Sequence, residues 1–70
     1  MKNLKSLRTF SDCTQVEFAE QTGLSRMRIS LAECNQVELG PEEAKIVRSV
    51  LRKKIALRIM QLQDALASLK

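Results

Sequence analysis

Two arginines in the middle of the chain, Arg26 and Arg28, are the first candidates for a chemical role. Residues 14–43 contain no other basic residue and hold six glutamates. The two arginines therefore stand alone in acidic surroundings, two positions apart. A guanidinium is a planar donor that can form two parallel hydrogen bonds with one partner. Each arginine either binds a partner in this way or is an ordinary solvated surface residue. The secondary-structure elements that carry the two arginines distinguish these interpretations.

The composition argues against catalysis and against a metal site. The chain has no histidine and two cysteines, Cys13 and Cys34, which are too few for the ligands of a zinc site. It also lacks a glycine-rich phosphate loop and a carboxylate pair beside a nucleophile. We therefore expect no enzyme activity, no metal and no cofactor. Both thiols are expected to be small buried groups in a reducing compartment.

The size and charge of the chain limit its class. Seventy residues make a single domain. A net charge of +4 permits a polyanionic partner without requiring one. Residues 1–9 are polar and basic, unlike a signal peptide, and no run approaches the roughly 18 apolar residues of a membrane span. A cytoplasmic protein with no membrane contact is expected.

Strand signals are weak, because no stretch alternates apolar and polar residues for long, so we expect an all-α fold of four to five helices. Leu4 and Leu7 predict a short first helix with Asn3 as its N-cap. Pro41 predicts the start of a fourth helix. The inward face of this fourth helix is expected to comprise Ala44, Val47, Val50 and Leu51.

Residues 14–34 predict two short helices joined by a tight turn. Thr14 is the expected N-cap of the first, with Glu17 at the capping-box position. Gly23 ends this helix, since glycine takes a left-handed conformation at little cost, and Ser25 caps the next. The residues expected to face the core are Val16, Phe18, Ala19, Leu24, Ile29 and Ala32.

This constellation resembles the Cro and lambda-repressor type of helix-turn-helix domain, also called the XRE family, over about residues 4–52. The matching residues are Leu7-Arg8, Thr14-Gln15, Phe18-Ala19, Gly23-Leu24-Ser25, Ile29-Ser30 and Glu33. The family often has glycine where Asp12 and Asn35 stand, and both residue types tolerate a left-handed backbone. The loop after Glu33 usually carries a basic residue in the family, whereas this chain has Glu38 there.

The resemblance implies a compact lambda-repressor-like domain that binds double-stranded DNA as a transcriptional regulator, most simply a repressor. It implies that Gln15 binds a phosphate at the start of the second helix. An arginine can bind guanine O6 and N7 with two hydrogen bonds, worth about 1–3 kcal/mol of discrimination. The predicted DNA-binding residues are Gln15, Ser25, Arg26, Met27, Arg28, Ser30 and Leu31.

Residues 53–70 lie beyond the DNA-binding domain predicted for residues 1–52 and predict a C-terminal helix. Apolar residues recur there at a heptad spacing over about two heptads. They are Ile55, Ile59, Leu62, Leu66 and Leu69. This seam predicts a homodimer on a palindromic operator, and a helix folded back on its own domain is the alternative. The basic residues Arg52, Lys53, Lys54 and Arg58 either touch the DNA flank or are solvated.

A protein-interaction module is the alternative function. In that case the helix-turn-helix is a scaffold, and residues 55–69 bind a second protein such as a toxin or another regulator. The acidic balance of residues 14–43 supports this alternative. Glu33 is expected to be a structural partner of Arg8 or of a backbone group rather than a functional acid.

Overall fold

A computed structural model describes residues 3–69 and contains, within that range, four α-helices and no strand. The helices are α1 (Leu4–Phe10), α2 (Gln15–Thr22), α3 (Arg26–Glu33) and α4 (Pro41–Ala67). The expected all-α fold is confirmed. Residues 1–2 of the predicted DNA-binding domain and residue 70 of the predicted C-terminal segment lie outside the described residues.

The first helix does not begin with the predicted side-chain cap. Asn3 occupies the N-cap position with a left-handed φ of 63°, and its side chain makes no capping hydrogen bond in the described part of the chain. Leu4 is buried, whereas Leu7 and Phe10 are exposed. After α1, Asp12 has a φ of 58°, a conformation that aspartate tolerates, and the chain turns toward α2.

The predicted cap of α2 is present, but only half of the capping box forms. Thr14 Oγ1 accepts a hydrogen bond from the Glu17 amide at 3.1 Å. The Glu17 carboxylate accepts from the Thr14 hydroxyl at 3.3 Å rather than from the Thr14 amide. The prediction for Val16 is wrong, since this residue is 49% exposed. It lies about 160° around the helix from Phe18, which is fully buried.

The turn between α2 and α3 confirms the predicted roles of its glycine and serine. Gly23 has a φ of 76°, and its amide donates to the Ala19 carbonyl at 2.9 Å, which closes α2. Ser25 Oγ accepts from the Arg28 amide at 3.0 Å and caps α3. Asn35 follows α3 with a φ of 60°, as expected for a residue that replaces glycine.

Residues from all four helices and from the α1–α2 loop form the core. The buried apolar residues are Leu4, Cys13, Phe18, Ile29, Ala32, Val47 and Leu51. Burial raises the pKa of the Cys13 thiol, which favours the unreactive neutral form. The prediction that Cys34 is buried is wrong, because it follows the last residue of α3 and is exposed.

The fourth helix is continuous over 27 residues. The sequence does not decide whether the helix is interrupted near residues 52–54. No interruption occurs there, and neither proline nor glycine follows Pro41. The first part of α4 packs against α1 and α2. Residues 59–69, called the tail here, are exposed at every position and do not fold back on residues 3–58, called the body. No helix in the described range is both long enough and apolar enough to cross a bilayer.

Candidate nucleic-acid interface

A buried hydrogen-bond network holds α3 against α1 and α2. Arg8 Nε donates to Glu33 Oε2 at 2.5 Å, and Arg8 Nη2 donates to Glu33 Oε1 at 3.2 Å. Gln15 Nε2 donates to the same Oε1 at 2.9 Å. The Arg8 and Glu33 side chains are 11% and 2% exposed. The predicted structural pairing of Glu33 with Arg8 is therefore confirmed.

The ionisation of this network follows from its contacts. Burial by itself raises the pKa of Glu33, but the hydrogen bonds from Arg8 and Gln15 and the charge of Arg8 outweigh burial and lower the pKa. The hydrogen bond to Glu33 raises the pKa of Arg8. Both groups are charged at neutral pH, so α3 has a fixed attachment to the body.

The outward face of α3 carries four of the predicted DNA-binding side chains. Arg26 and Met27 are exposed in the first turn, and Met27 is 73% exposed. Within residues 3–69, Arg26 makes no ion pair. A shallow groove on this face is lined by Gln15, Arg26, Met27, Ser30 and Leu31. The structure thus brings five of the predicted residues together on one concave surface.

Arg28 has a different environment from Arg26. Its Nε donates to Glu43 Oε2 at 3.0 Å, and its Nη2 donates to Glu43 Oε1 at 2.7 Å. Glu43 also accepts from the Gly40 amide at 3.0 Å. One edge of the Arg28 guanidinium is therefore occupied, while the Nη1 group takes no part in this pair. Ser25, the other predicted residue outside the groove, acts as the cap of α3.

Sequence reasoning missed the role of Glu43. This residue is the third of α4, three positions after Gly40. That spacing is typical of a capping box, in which a glutamate returns to the N-cap amide, so the contact with Gly40 could have been predicted. The contact with Arg28 depends on how α3 and α4 pack, which no local pattern reveals.

The Arg28–Glu43 pair predicts a specific loss of stability in acid. The hydrogen bonds from Arg28 and from the Gly40 amide lower the pKa of Glu43 from 4.5 to about 2. Because the folded pKa lies below the unfolded one, this stabilisation is complete above pH 4.5 and is lost as pH falls toward 2. Glu43→Gln should therefore remove part of the acid dependence of the urea midpoint.

Glu42→Gln is the matched control, because Glu42 is the neighbouring glutamate and is exposed. The measurement is the urea midpoint of both variants and of the wild type between pH 6 and pH 2.5. Equal acid dependence in the Glu43→Gln and Glu42→Gln variants would show that the Arg28–Glu43 pair does not stabilise the fold.

The predicted dimerisation residues fall into two groups. Ile55 is half-buried and packs against the edge of the core. Ile59, Leu62, Leu66 and Leu69 are exposed on the tail. The body contains no cluster of histidine, cysteine and carboxylate side chains that could hold a metal, and neither does the tail up to residue 69.

Comparison of the chain with protein-family models, with curated proteins and with solved structures found no match. The surface of α3 combines a cationic donor, a thioether and a leucine on a helix that is fixed at its inner side by a charged network.

Proposed function

We propose that this chain is a sequence-specific regulator of transcription, most simply a repressor, that binds double-stranded DNA. In this proposal it is a helix-turn-helix protein of the lambda-repressor-like type, and α3 is its recognition helix. The observation that carries the proposal is the exposed Arg26 beside Met27 on the outward face of a short, capped helix. Base reading requires side chains on a rigid element, and the Arg8–Glu33 pair supplies that rigidity.

The chemistry of the groove on α3 suits the edges of base pairs in the major groove. Arg26 can donate two hydrogen bonds to guanine O6 and N7. Met27 and Leu31 offer apolar contacts for a thymine methyl group. The side-chain amide of Gln15 donates a hydrogen bond to Glu33. The proposed phosphate contact at Gln15 therefore combines its side chain with the N-terminus of α2.

Arg28 has a restricted role in this proposal. Its Nε and Nη2 groups bind Glu43, which leaves Nη1 for a phosphate oxygen. Arg26 is therefore the proposed base reader and Arg28 the proposed backbone contact. Phosphate contacts orient a protein on DNA without reading its sequence.

A homodimer formed through residues 55–69 is part of the same proposal. Two recognition helices would then enter successive major grooves about 34–36 Å apart on a palindromic site. The exposed apolar side chains of the tail support this, because a helix with this face uncovered is unfavourable in water. A cytoplasmic location remains a prediction.

The deciding experiment is selection of bound sequences from a random duplex library, followed by a footprint on the selected site. Arg26→Ala should weaken binding to that site by about 1–3 kcal/mol, or about 5–150-fold, and relax preference at one base pair. Lys45→Ala, which removes an exposed charge from α4, is the control. It should leave the sequence preference unchanged, because Lys45 lies outside the groove on α3.

Two results would count against this function. A selected pool without sequence preference over bulk DNA would reject a specific regulator. Unchanged specificity in the Arg26→Ala variant would reject α3 as the reading element.

The protein-interaction module remains the second candidate because of an apolar groove beside the tail. This groove lies between α1 and α4 and is lined mainly by Leu7, Leu51, Ile55 and Ile59. A variant with both Arg26→Ala and Arg28→Ala separates the two functions. An interaction module should keep its partner and its biological effect in that variant, whereas a DNA-binding regulator should lose its effect.

A further inference from the structure

The apolar groove between α1 and α4 and the tail form complementary surfaces on the same chain. The groove is lined by Leu7 of α1 and by residues of α4, among them Arg48 and Arg52. The tail carries large exposed apolar residues and one charged residue, Asp64. Each chain therefore presents both an apolar receptor and an apolar helix of the kind that could fill it.

The tail cannot fill the groove of its own chain. The groove ends at Ile59, where the tail begins, and α4 continues without a break to Ala67. A straight helix carries Leu66 about 10 Å beyond Ile59. Only a second molecule can therefore bring these side chains to the groove.

The groove and the tail form one continuous stripe. At 3.6 residues per turn, the seam residues within α4 fall within a stripe about 60° wide. These residues are Ile55, Ile59, Leu62 and Leu66, and Leu69 follows two positions after the end of α4. The groove lies on the same side of the helix, because Ile55 and Ile59 belong to both surfaces. Met60 and Asp64 lie on the opposite side.

We propose that two copies of this chain pair through α4 in antiparallel orientation, with the tail of each copy lying in the α1–α4 groove of the other. This inference rests on the homodimer of the proposed function and adds its geometry. Leu66 of one copy then packs near Ile55 of the other, and Leu69 packs near Arg52 and Leu51. The antiparallel contact is longer than the seam, because it adds the residues of the groove. The two heptads of the seam are too short by themselves for a coiled coil, which is indicated by roughly three to four heptads or more.

Steric and electrostatic observations favour this orientation over a parallel one. A parallel pair places two bodies at the same level, so that α1 of each copy occupies the space next to the contact line. It also sets Arg48 and Arg52 against the same residues of the other copy. An antiparallel pair places a slender tail beside each body. It also brings the negative end of one α4 dipole close to those arginines.

The test is site-specific cross-linking with a short bismaleimide. All variants carry Cys34→Ser, because Cys34 is exposed, and keep the buried Cys13. The diagnostic variant combines Arg52→Cys with Leu69→Cys, both at exposed positions. These positions lie about 25 Å apart, at opposite ends of the last part of α4 and the turn that follows it, so a linkage between them joins two chains. We expect the 7.9 kDa band to shift to twice that mass.

Leu69→Cys alone is the test of the opposite orientation. In the antiparallel pair the two residues at position 69 are about 25 Å apart and should cross-link no faster than an Asp64→Cys control, whose side chain lies away from the seam. Rapid cross-linking of Leu69→Cys alone would establish a parallel pair and overturn the inference.

Sedimentation velocity of the wild-type chain separates this inference from the function. A monomer at every concentration would overturn both the antiparallel pair and the proposed homodimer, while sequence-specific binding by α3 would be unaffected. Loss of sequence preference in the DNA selection, with the expected cross-links intact, would overturn the DNA-binding proposal alone.

Discussion

Arg8→Ala should destabilise the fold by about 3 kcal/mol or more, since it leaves a buried carboxylate without its partner. Glu33 would keep only the hydrogen bond from Gln15, and the Cys13 carbonyl would lose the donor that Arg8 supplies at 2.8 Å. A core of this size rarely supplies more than about 3–5 kcal/mol. The variant should therefore lose most of its stability and be close to its unfolding midpoint at 25 °C, as measured by circular dichroism and urea titration.

Two further variants identify the cause of this loss. Arg52→Ala removes an exposed arginine from α4 and should change stability by about 0.5 kcal/mol or less. A double variant with Arg8→Met and Glu33→Met should recover most of the stability, because an apolar pair leaves no buried charge. If the double variant is as unstable as Arg8→Ala, lost packing rather than the stranded carboxylate is the cause.

Leu62→Asp should abolish the dimer and weaken binding to a palindromic site by about 10²–10⁴-fold, since two recognition helices would no longer be linked. Leu62 lies on the apolar stripe of the tail, and a carboxylate there would be buried without a partner in the interface. The tail makes no contribution to the core, so the monomer should stay folded. The measurements are sedimentation velocity and titration of the selected DNA site.

Met60→Asp is the matched control for Leu62→Asp. Met60 is exposed and lies two positions away on the other side of α4, so the same charge enters the tail without entering the stripe. Met60→Asp should preserve both dimerisation and affinity. Equal behaviour of the two variants would mean that the stripe on the tail does not join the two chains.

Local features of the fold could be predicted because each depends on a few neighbouring residues. Thr14 and Ser25 cap their helices through hydrogen bonds that span three positions. The backbone at Gly23 is left-handed as its residue type suggests. The pairing of Arg8 with Glu33 joins residues that are distant in the sequence. The sequence predicts it only as one of two possibilities, the other being a backbone partner for Glu33.

Features that depend on packing could not be predicted from local patterns. Val16 is apolar, but within residues 3–69 no element covers the side of α2 on which it lies. Arg28 has the sequence context of a free surface arginine, yet Glu43 binds it from a helix that begins 13 positions later. Of the predicted DNA-binding residues, the structure locates five in one groove, and their contacts with DNA remain predictions.

The unbroken course of α4 has a consequence for the evolution of binding sites. With no hinge between body and tail, one inserted residue would rotate the tail by about 100° and advance it by about 1.5 Å relative to α3. In a dimer joined through the tails, the length of α4 would thus set the rotation and the spacing between the two operator halves. Target spacing could then diverge among descendants without any change in the residues that touch bases.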